Sequence, residues 1–233
     1  MWSGENKHAT WLFTSRIHPR GQSLGVYNNF NLADHVLDEP RSVRANREIL
    51  ADELNVSAGS VIWPNLVHST TALEITSSHQ EVTAADILYT SSRSLVITTL
   101  SADCVPLIAY ARNLPFALTA HIGWKGAATN IAFEIVNLLS QYTDNDVEII
   151  LGPSICGTCY VVEAERKSAV TEMLPASATL GNGVDLQAGL AEYFLDSGFQ
   201  VTCIGVCTFE SDSLFSYRRE SVTGRQAAAV KLQ

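Results

Sequence analysis

Three residues in this sequence have the types and placement to do chemistry together. Cys104 stands in Ser101-Ala102-Asp103-Cys104 between two apolar runs. His121 closes the next apolar run, directly before Gly123-Trp124-Lys125-Gly126, and His68 follows the apolar stretch 63–67. Each falls at the end of an expected strand, where sheets commonly build their sites. Two imidazoles and a thiolate form the ligand set of a catalytic zinc whose fourth position stays open. A plainer reading is also available: a buried cysteine packs as a small hydrophobe, and His68 can be an ordinary core histidine. A metal-free enzyme would use the same residues differently, with Cys104 as nucleophile, His121 as base, and Asp103 or Asp86 as orienting acid.

The other four cysteines, Cys156, Cys159, Cys203 and Cys207, could supply a structural zinc site. Cys156-Gly157-Thr158-Cys159 has the spacing of a metal knuckle. Cys203 and Cys207, however, lie four apart in an expected strand, which puts both on one face without a tight turn. All four are expected to be structural or incidental. His79-Gln80-Glu81 matches half of the zinc-deaminase pattern, but Pro153 stands three residues before Cys156 rather than adjacent to it, so the second half fails.

Neither the Walker-type loop nor Gly-x-Gly-x-x-Gly occurs, and Gly-x-Ser-x-Gly is absent. An anion would therefore be held by charged side chains. Arg218 and Arg219, with Arg225 close behind, invite one, as do Arg47 on the polar face of an expected helix and Lys125 in the turn after His121. Pairing with some of the 24 acidic residues is the alternative use of these cations.

These residues need elements to hold them. Residues 10–16 read as a strand broken by the turn formers that follow. Residues 40–54, opened by Pro40 and carrying Val43, Leu50 and Leu54, read as an amphipathic helix. The runs 94–100, 105–110 and 116–121 are apolar almost throughout, which suits strands covered on both faces. A helix over 127–142 leads to a strand at 147–151, a crossover with a parallel component. A helix over 185–195, a strand over 200–207 and a last strand over 227–232 complete the pattern. No repeat, low-complexity tract or linker divides residues 1–233, so the expectation is one mixed α/β domain.

Composition narrows the function classes. The 233 residues are 46% hydrophobic, enough for one sizeable core. Fifteen Lys and Arg against 24 Asp and Glu give a net charge of −9 with no basic concentration, which argues against nucleic-acid binding. No apolar run is long enough to cross a membrane, and the first residues do not resemble a leader, so a cytoplasmic protein is expected. Five cysteines, an odd number in a chain of this length, suit a reducing compartment.

Several segments, taken in order, resemble one known family. They are Asn31-Leu32-Ala33-Asp34-His35-Val36, Asn46-Arg47, Val67-His68, Ser101-Ala102-Asp103-Cys104-Val105-Pro106, Ala120-His121-Ile122-Gly123-Trp124-Lys125-Gly126, Leu151-Gly152-Pro153-Ser154-Ile155, and Phe215-Ser216-Tyr217-Arg218-Arg219 with Thr223-Gly224-Arg225. The family is the bacterial laccase-domain proteins, known as polyphenol oxidases and as multi-substrate purine nucleoside phosphorylases. The resemblance implies a single domain with a sheet sandwich covered by helices, and zinc held by His68, Cys104 and His121. It further implies phosphorolysis of adenosine, inosine, guanosine and methylthioadenosine to the base and ribose 1-phosphate, together with adenosine deamination. Asp103, Cys104 and His121 are then the expected catalytic residues, and Arg47, Lys125, Arg218 and Arg219 the expected phosphate ligands. A role on peptidoglycan precursors, attached to some relatives, is the alternative.

Copper could occupy such a site in vitro. A multicopper laccase centre is excluded, since it needs paired His-x-His motifs and this chain has six histidines and no such pair. The sequence also departs from the family pattern. The loop 16–23 is longer and has lost one glycine, Ser69 stands where the family has glycine after the histidine, and Lys125 replaces an arginine, offering a point charge in place of a fork.

Overall fold

The segment Val105-Pro106-Leu107-Ile108-Ala109-Tyr110-Ala111 is buried at every position because both of its faces are covered. Val105, Leu107, Ala109 and Ala111 pack toward helices, while Ile108 and Tyr110 pack toward a second sheet. This double burial explains why the strands of the middle of the chain read as continuous apolar runs rather than alternating ones.

The computed structural model describes residues 1–142 and 146–233. In chain order the elements are β1 (Trp2–Glu5), β2 (Ala9–Phe13), α1 (Pro40–Glu53), β3 (Val61–Ile62), β4 (Ala72–Glu74), β5 (Ile87–Thr90), β6 (Val96–Ser101), β7 (Val105–Ala111), β8 (Ala117–Ile122), α2 (Trp124–Ala128), α3 (Ile131–Tyr142), β9 (Val147–Leu151), α4 (Ala164–Met173), α5 (Leu186–Asp196), β10 (Gln200–Cys203), α6 (Tyr217–Glu220) and β11 (Gln226–Leu232).

They build two mixed sheets, one ordered β1-β2-β11-β6-β3 and the other β10-β9-β7-β8-β5-β4. Between the sheets lies a core that includes Phe13, Ile97, Ile108, Tyr110, Ile150 and Val230. The outer face of the first sheet is covered by α1 through Leu50 and Ala51 against Leu12, Val96 and Leu100. The outer face of the second is covered by the helices after β8, through Ile131, Ile135, Leu139, Val170, Leu190 and Phe194. The result is a single mixed α/β domain of four layers, helix, sheet, sheet, helices.

Most expected elements are present; β1, β3, β4, β5 and α6 were not expected, and four further differences stand out. The 63–67 stretch before His68 is a loop, with the isolated bridge Asn65 to Ala84 as its strand-like pairing. The helix expected over 127–142 is two helices, because Asn130 adopts φ 66° and interrupts the ladder. Helix α4 was not expected, since it buries only Val170 and shows no apolar stripe. The strand expected over 200–207 stops at Cys203, and Gly205 at φ 68° then turns the chain away. The crossover is present: β8 and β9 both run antiparallel to β7 between them, so they are parallel to one another, and β9 pairs directly with β10 in parallel.

Candidate functional site

The link from β6 to β7 carries the chain from one sheet to the other, and Cys104 sits in it. Its neighbour Asp103 adopts φ 97°, a conformation costly for a non-glycine residue and held here by its surroundings. Asp103 Oδ1 accepts from Thr208 Oγ1 at 2.6 Å, Oδ2 accepts from the Arg218 N–H at 2.7 Å, and the Asp103 carbonyl accepts from the Ile155 N–H at 2.9 Å. Three separate segments therefore fix the backbone that presents the Cys104 thiol. His121 lies near the end of β8, opposite Pro106 in β7. His68 stands in the loop between β3 and β4, at φ 59°.

Asp86, immediately before β5, joins these parts. Its carboxylate accepts from His121 Nδ1 at 2.9 Å, and from the N–H groups of Val67, His68 and Ser69 at 3.3, 3.1 and 2.7 Å. The Asp86 carbonyl accepts from the His121 N–H at 2.9 Å. Burial alone would raise the Asp86 carboxyl, yet the bonds from His121 and Ser69 hold it at about 2. One ionised acid thus orients the His121 ring and the strained turn that carries His68.

The ligand atoms of His68, Cys104 and His121 lie within 4.8 Å of one another, and the two imidazole rings stand nearly perpendicular, 4.7 Å apart. Burial opposes charge on the Cys104 thiol, but the facing His121 and His68 bring it below its ordinary value. Burial likewise opposes charge on His121, and the Cys104 thiolate and Asp86 raise it. A Cβ on Gly123 would stand 3.0 Å from Cys104 Sγ and 3.2 Å from His68 Cδ2, so glycine is what lets the end of β8 close over the cluster.

The donor set suits a borderline-soft divalent ion. Engagement of His121 Nδ1 by Asp86 leaves Nε2 as the ligand, in the carboxylate, histidine, metal relay common at such centres. His121 is buried, Cys104 half-buried and His68 exposed, so the cluster opens to solvent on the His68 side.

Two clefts meet there, sharing His68, Ala102, Cys104 and Tyr217. The larger, about 400 Å3, adds His35, Ser101, His121 and Arg225. The second, about 260 Å3, adds Trp124, Tyr160, Arg166 and Arg218. Arg166 stacks on Trp124 at 4.4 Å and Arg218 on Tyr160 at 5.1 Å. Ser101 Oγ is buried with no hydrogen-bond partner among the described residues, an unusual state for a hydroxyl unless a ligand supplies the partner.

The structure distributes the expected anion ligands unevenly. Arg218 lines the aromatic cleft. Arg219 is spent on the protein itself: its guanidinium donates to the carbonyls of Thr208, Phe209, Ser211 and Leu214 and pairs with Glu220. Arg47 donates to the Leu32 carbonyl, pairs with Asp34 and lies over Trp63 at 4.2 Å. Lys125 is exposed on α2, with its Nζ 5.9 Å from the Trp124 ring centre, and lines neither cleft.

The sequence reading gave Arg225 as the third arginine of an anion-inviting group, and it missed Arg166, carried by a helix with no motif, and Tyr160, which directly follows Cys159. Arg166, Arg218 and Arg225 have no carboxylate within ion-pair distance among the described residues. That property separates them from Arg47 and Arg219, and no spacing rule reveals it.

The profile of the family described as multi-copper polyphenol oxidoreductase laccase matches residues 10–233. The chain belongs to this laccase-like family. A curated relative from Corynebacterium glutamicum, named a purine nucleoside phosphorylase, is 34% identical over 97% of this chain and 96% of its own. The YfiH protein of Escherichia coli, also named a purine nucleoside phosphorylase, is 30% identical over 91% of this chain and 90% of its own. A crystal structure of a Neisseria meningitidis protein superposes with a TM-score of 0.87 at 27% identity, covering all of this chain and 98% of that one. The family's laccase label sits uneasily with the site, whose three candidate ligands include a cysteine and only two of the six histidines. No helix among the described residues is long and apolar enough to cross a membrane.

Proposed function

We propose that this protein is a zinc-dependent purine nucleoside phosphorylase acting on adenosine, inosine, guanosine and methylthioadenosine, with adenosine deaminase activity in the same cleft. The observation that carries the reading is the meeting of two clefts at His68 and Cys104, one lined by Trp124, Tyr160, Arg166 and Arg218 and the other by Ser101, His121 and Arg225. The names of the relatives support it.

In this reading the purine lies in the cleft of Trp124, Tyr160 and Tyr217, whose ring faces suit a flat heterocycle. Inorganic phosphate lies on the Arg225 side, where the guanidinium compensates its charge and the orphaned Ser101 hydroxyl donates to one of its oxygens. The ribose then spans the junction, so that an oxygen of hydrogen phosphate can form the bond to C1′ as the bond from C1′ to the base breaks, the phosphate proton ending on the departing base. Zinc held by His68, Cys104 and His121 would supply Lewis acidity beside the reacting groups. Asp103 serves as a positioning residue, since both its oxygens already accept hydrogen bonds and one of them holds the Arg218 backbone.

The alignment of Cys104, His121 and Asp86 also supports a second reading, a metal-free cysteine hydrolase acting on an amide of a peptidoglycan precursor. That reading leaves His68 without a role.

Product analysis separates the two. Adenosine with inorganic phosphate should yield adenine and ribose 1-phosphate, and adenosine without phosphate should yield inosine. No ribose 1-phosphate from any purine nucleoside, combined with hydrolysis of a precursor dipeptide amide by metal-free protein, would replace the first reading with the second.

A further inference from the structure

The four cysteines outside the site were expected to be structural or incidental, and a zinc site built from all four was disfavoured because Cys203 and Cys207 were read as sharing one strand. The strand ends at Cys203, which stays exposed on β10, and the turn at Gly205 carries Cys207 elsewhere. Cys207 instead reaches Cys156 and Cys159, and Glu210 joins them, with the four ligand atoms within 4.8 Å of one another. We propose that Cys156, Cys159, Cys207 and Glu210 form a second, structural metal site that takes zinc.

The local geometry is that of two facing knuckles. Cys156-Gly157-Thr158-Cys159 is a tight turn in which the N–H groups of Cys159 and Tyr160 donate to the Cys156 carbonyl at 3.1 and 2.9 Å. Cys207-Thr208-Phe209-Glu210 is its counterpart, with the Ser211 N–H donating to the Cys207 carbonyl at 3.1 Å. The pairing of ligands is therefore Cys-x-x-Cys with Cys-x-x-Glu, in which an acid takes the place of a fourth cysteine.

The Cys156 N–H points at Cys207 Sγ at 3.4 Å, a bond that supports a thiolate, and Cys159 Sγ lies 3.5 Å from Glu210 Oε1. Zinc bonded to sulfur at about 2.3 Å in a tetrahedron spaces its ligands by about 3.8 Å, so only small side-chain adjustments close the site. Three thiolates and a carboxylate leave no open position, which marks the site as structural. A simple dithiol would need neither the third cysteine nor the acid.

The two turns hold parts of the neighbouring cleft. Thr208, next to Cys207, donates to Asp103, and Arg219 donates to the carbonyls of Thr208 and Phe209. Tyr160, next to Cys159, lines the aromatic cleft. An ion here would tie together two segments far apart in sequence that both support the Cys104 loop.

Elemental analysis of the purified full chain tests the proposal, which does not depend on the catalytic reading. The wild type should hold close to two zinc ions per chain, Cys104→Ser close to one, and Cys159→Ser and Cys207→Ser close to one each. A wild type with one ion that Cys104→Ser abolishes would overturn the proposal, as would a Cys156–Cys159 disulfide that persists in excess reductant. Should the Cys159 and Cys207 variants fail to fold, Cys104→Ser, which leaves no thiolate at the first site, decides after reconstitution with Co2+. Intense thiolate charge-transfer absorption supports the site, and its absence overturns it.

Discussion

Asp86 accepts from His121 Nδ1 at 2.9 Å while its carboxylate gathers the backbone N–H groups of Val67, His68 and Ser69. Two candidate ligands, one near the end of β8 and one in the loop between β3 and β4, are thus oriented by one buried acid. The arrangement explains how His68, carried on a loop at positive φ, can be presented in a defined place without a strand beneath it.

Asp86→Asn should weaken metal binding by about 10- to 100-fold, the usual cost of losing a carboxylate behind a ligating histidine. The amide cannot accept from all five donors, the Ser69 hydroxyl included, and presents an N–H2 to some of them. Competition with a chromogenic chelator measures the change. An unchanged affinity would show that the His121 orientation does not depend on the acid.

Removing the cation that faces phosphate should depress phosphorolysis far more than deamination, because only phosphorolysis binds phosphate in its transition state. Arg225→Ala should lower the phosphate-dependent rate by about 100-fold or more, while Lys125→Ala, altering an exposed side chain outside both clefts, should leave it within about 3-fold. Initial rates at varied phosphate compare the two. The reverse order would move the anion site to α2.

Arg219→Ala should destabilise the fold rather than the chemistry. The guanidinium satisfies four backbone carbonyls between residues 208 and 214, and its loss should cost about 2 to 3 kcal/mol. The shift of the urea midpoint measures this, and a loss of activity without loss of stability would contradict it.

Alkaline stability should depend on Tyr110. Burial and the bond it donates to Glu148 raise its pKa from 10 to about 12. Below pH 10 neither the folded nor the unfolded chain ionises this phenol. Between pH 10 and 12 the unfolded chain ionises it first, so stability falls as pH rises through that window. Tyr110→Phe should be less stable at neutral pH, having lost its bonds to Glu148 and Asn6, yet should show a shallower decline above pH 10. Parallel decline in urea midpoints would contradict the assignment.

The legible parts of the sequence were those where burial leaves a strong local pattern. β6, β7 and β8 are buried on both faces and read as apolar runs, and the termini of those strands gave Cys104 and His121 directly. The illegible parts depend on tertiary partners. Helix α4 carries one buried residue, so its period is silent, yet it brings Arg166 to the cleft. Nothing in spacing distinguishes Arg225, free of carboxylates, from Arg219, which is consumed by backbone carbonyls. The Cys207 knuckle was hidden because one glycine at positive φ, Gly205, separates it from the strand it seemed to continue.

Phosphorolysis at the cluster of His68, Cys104 and His121 is the proposal on which the assignment of the clefts depends. The most direct test is adenine formation from adenosine in saturating phosphate by wild type and Cys104→Ser, with bound zinc counted on the same samples. A neutral hydroxyl is a far poorer zinc ligand than a thiolate, so the variant should lose the ion at this centre and its phosphorolysis together, while keeping the wild-type fold. A Cys104→Ser protein that retains full zinc content and the wild-type rate would contradict the account.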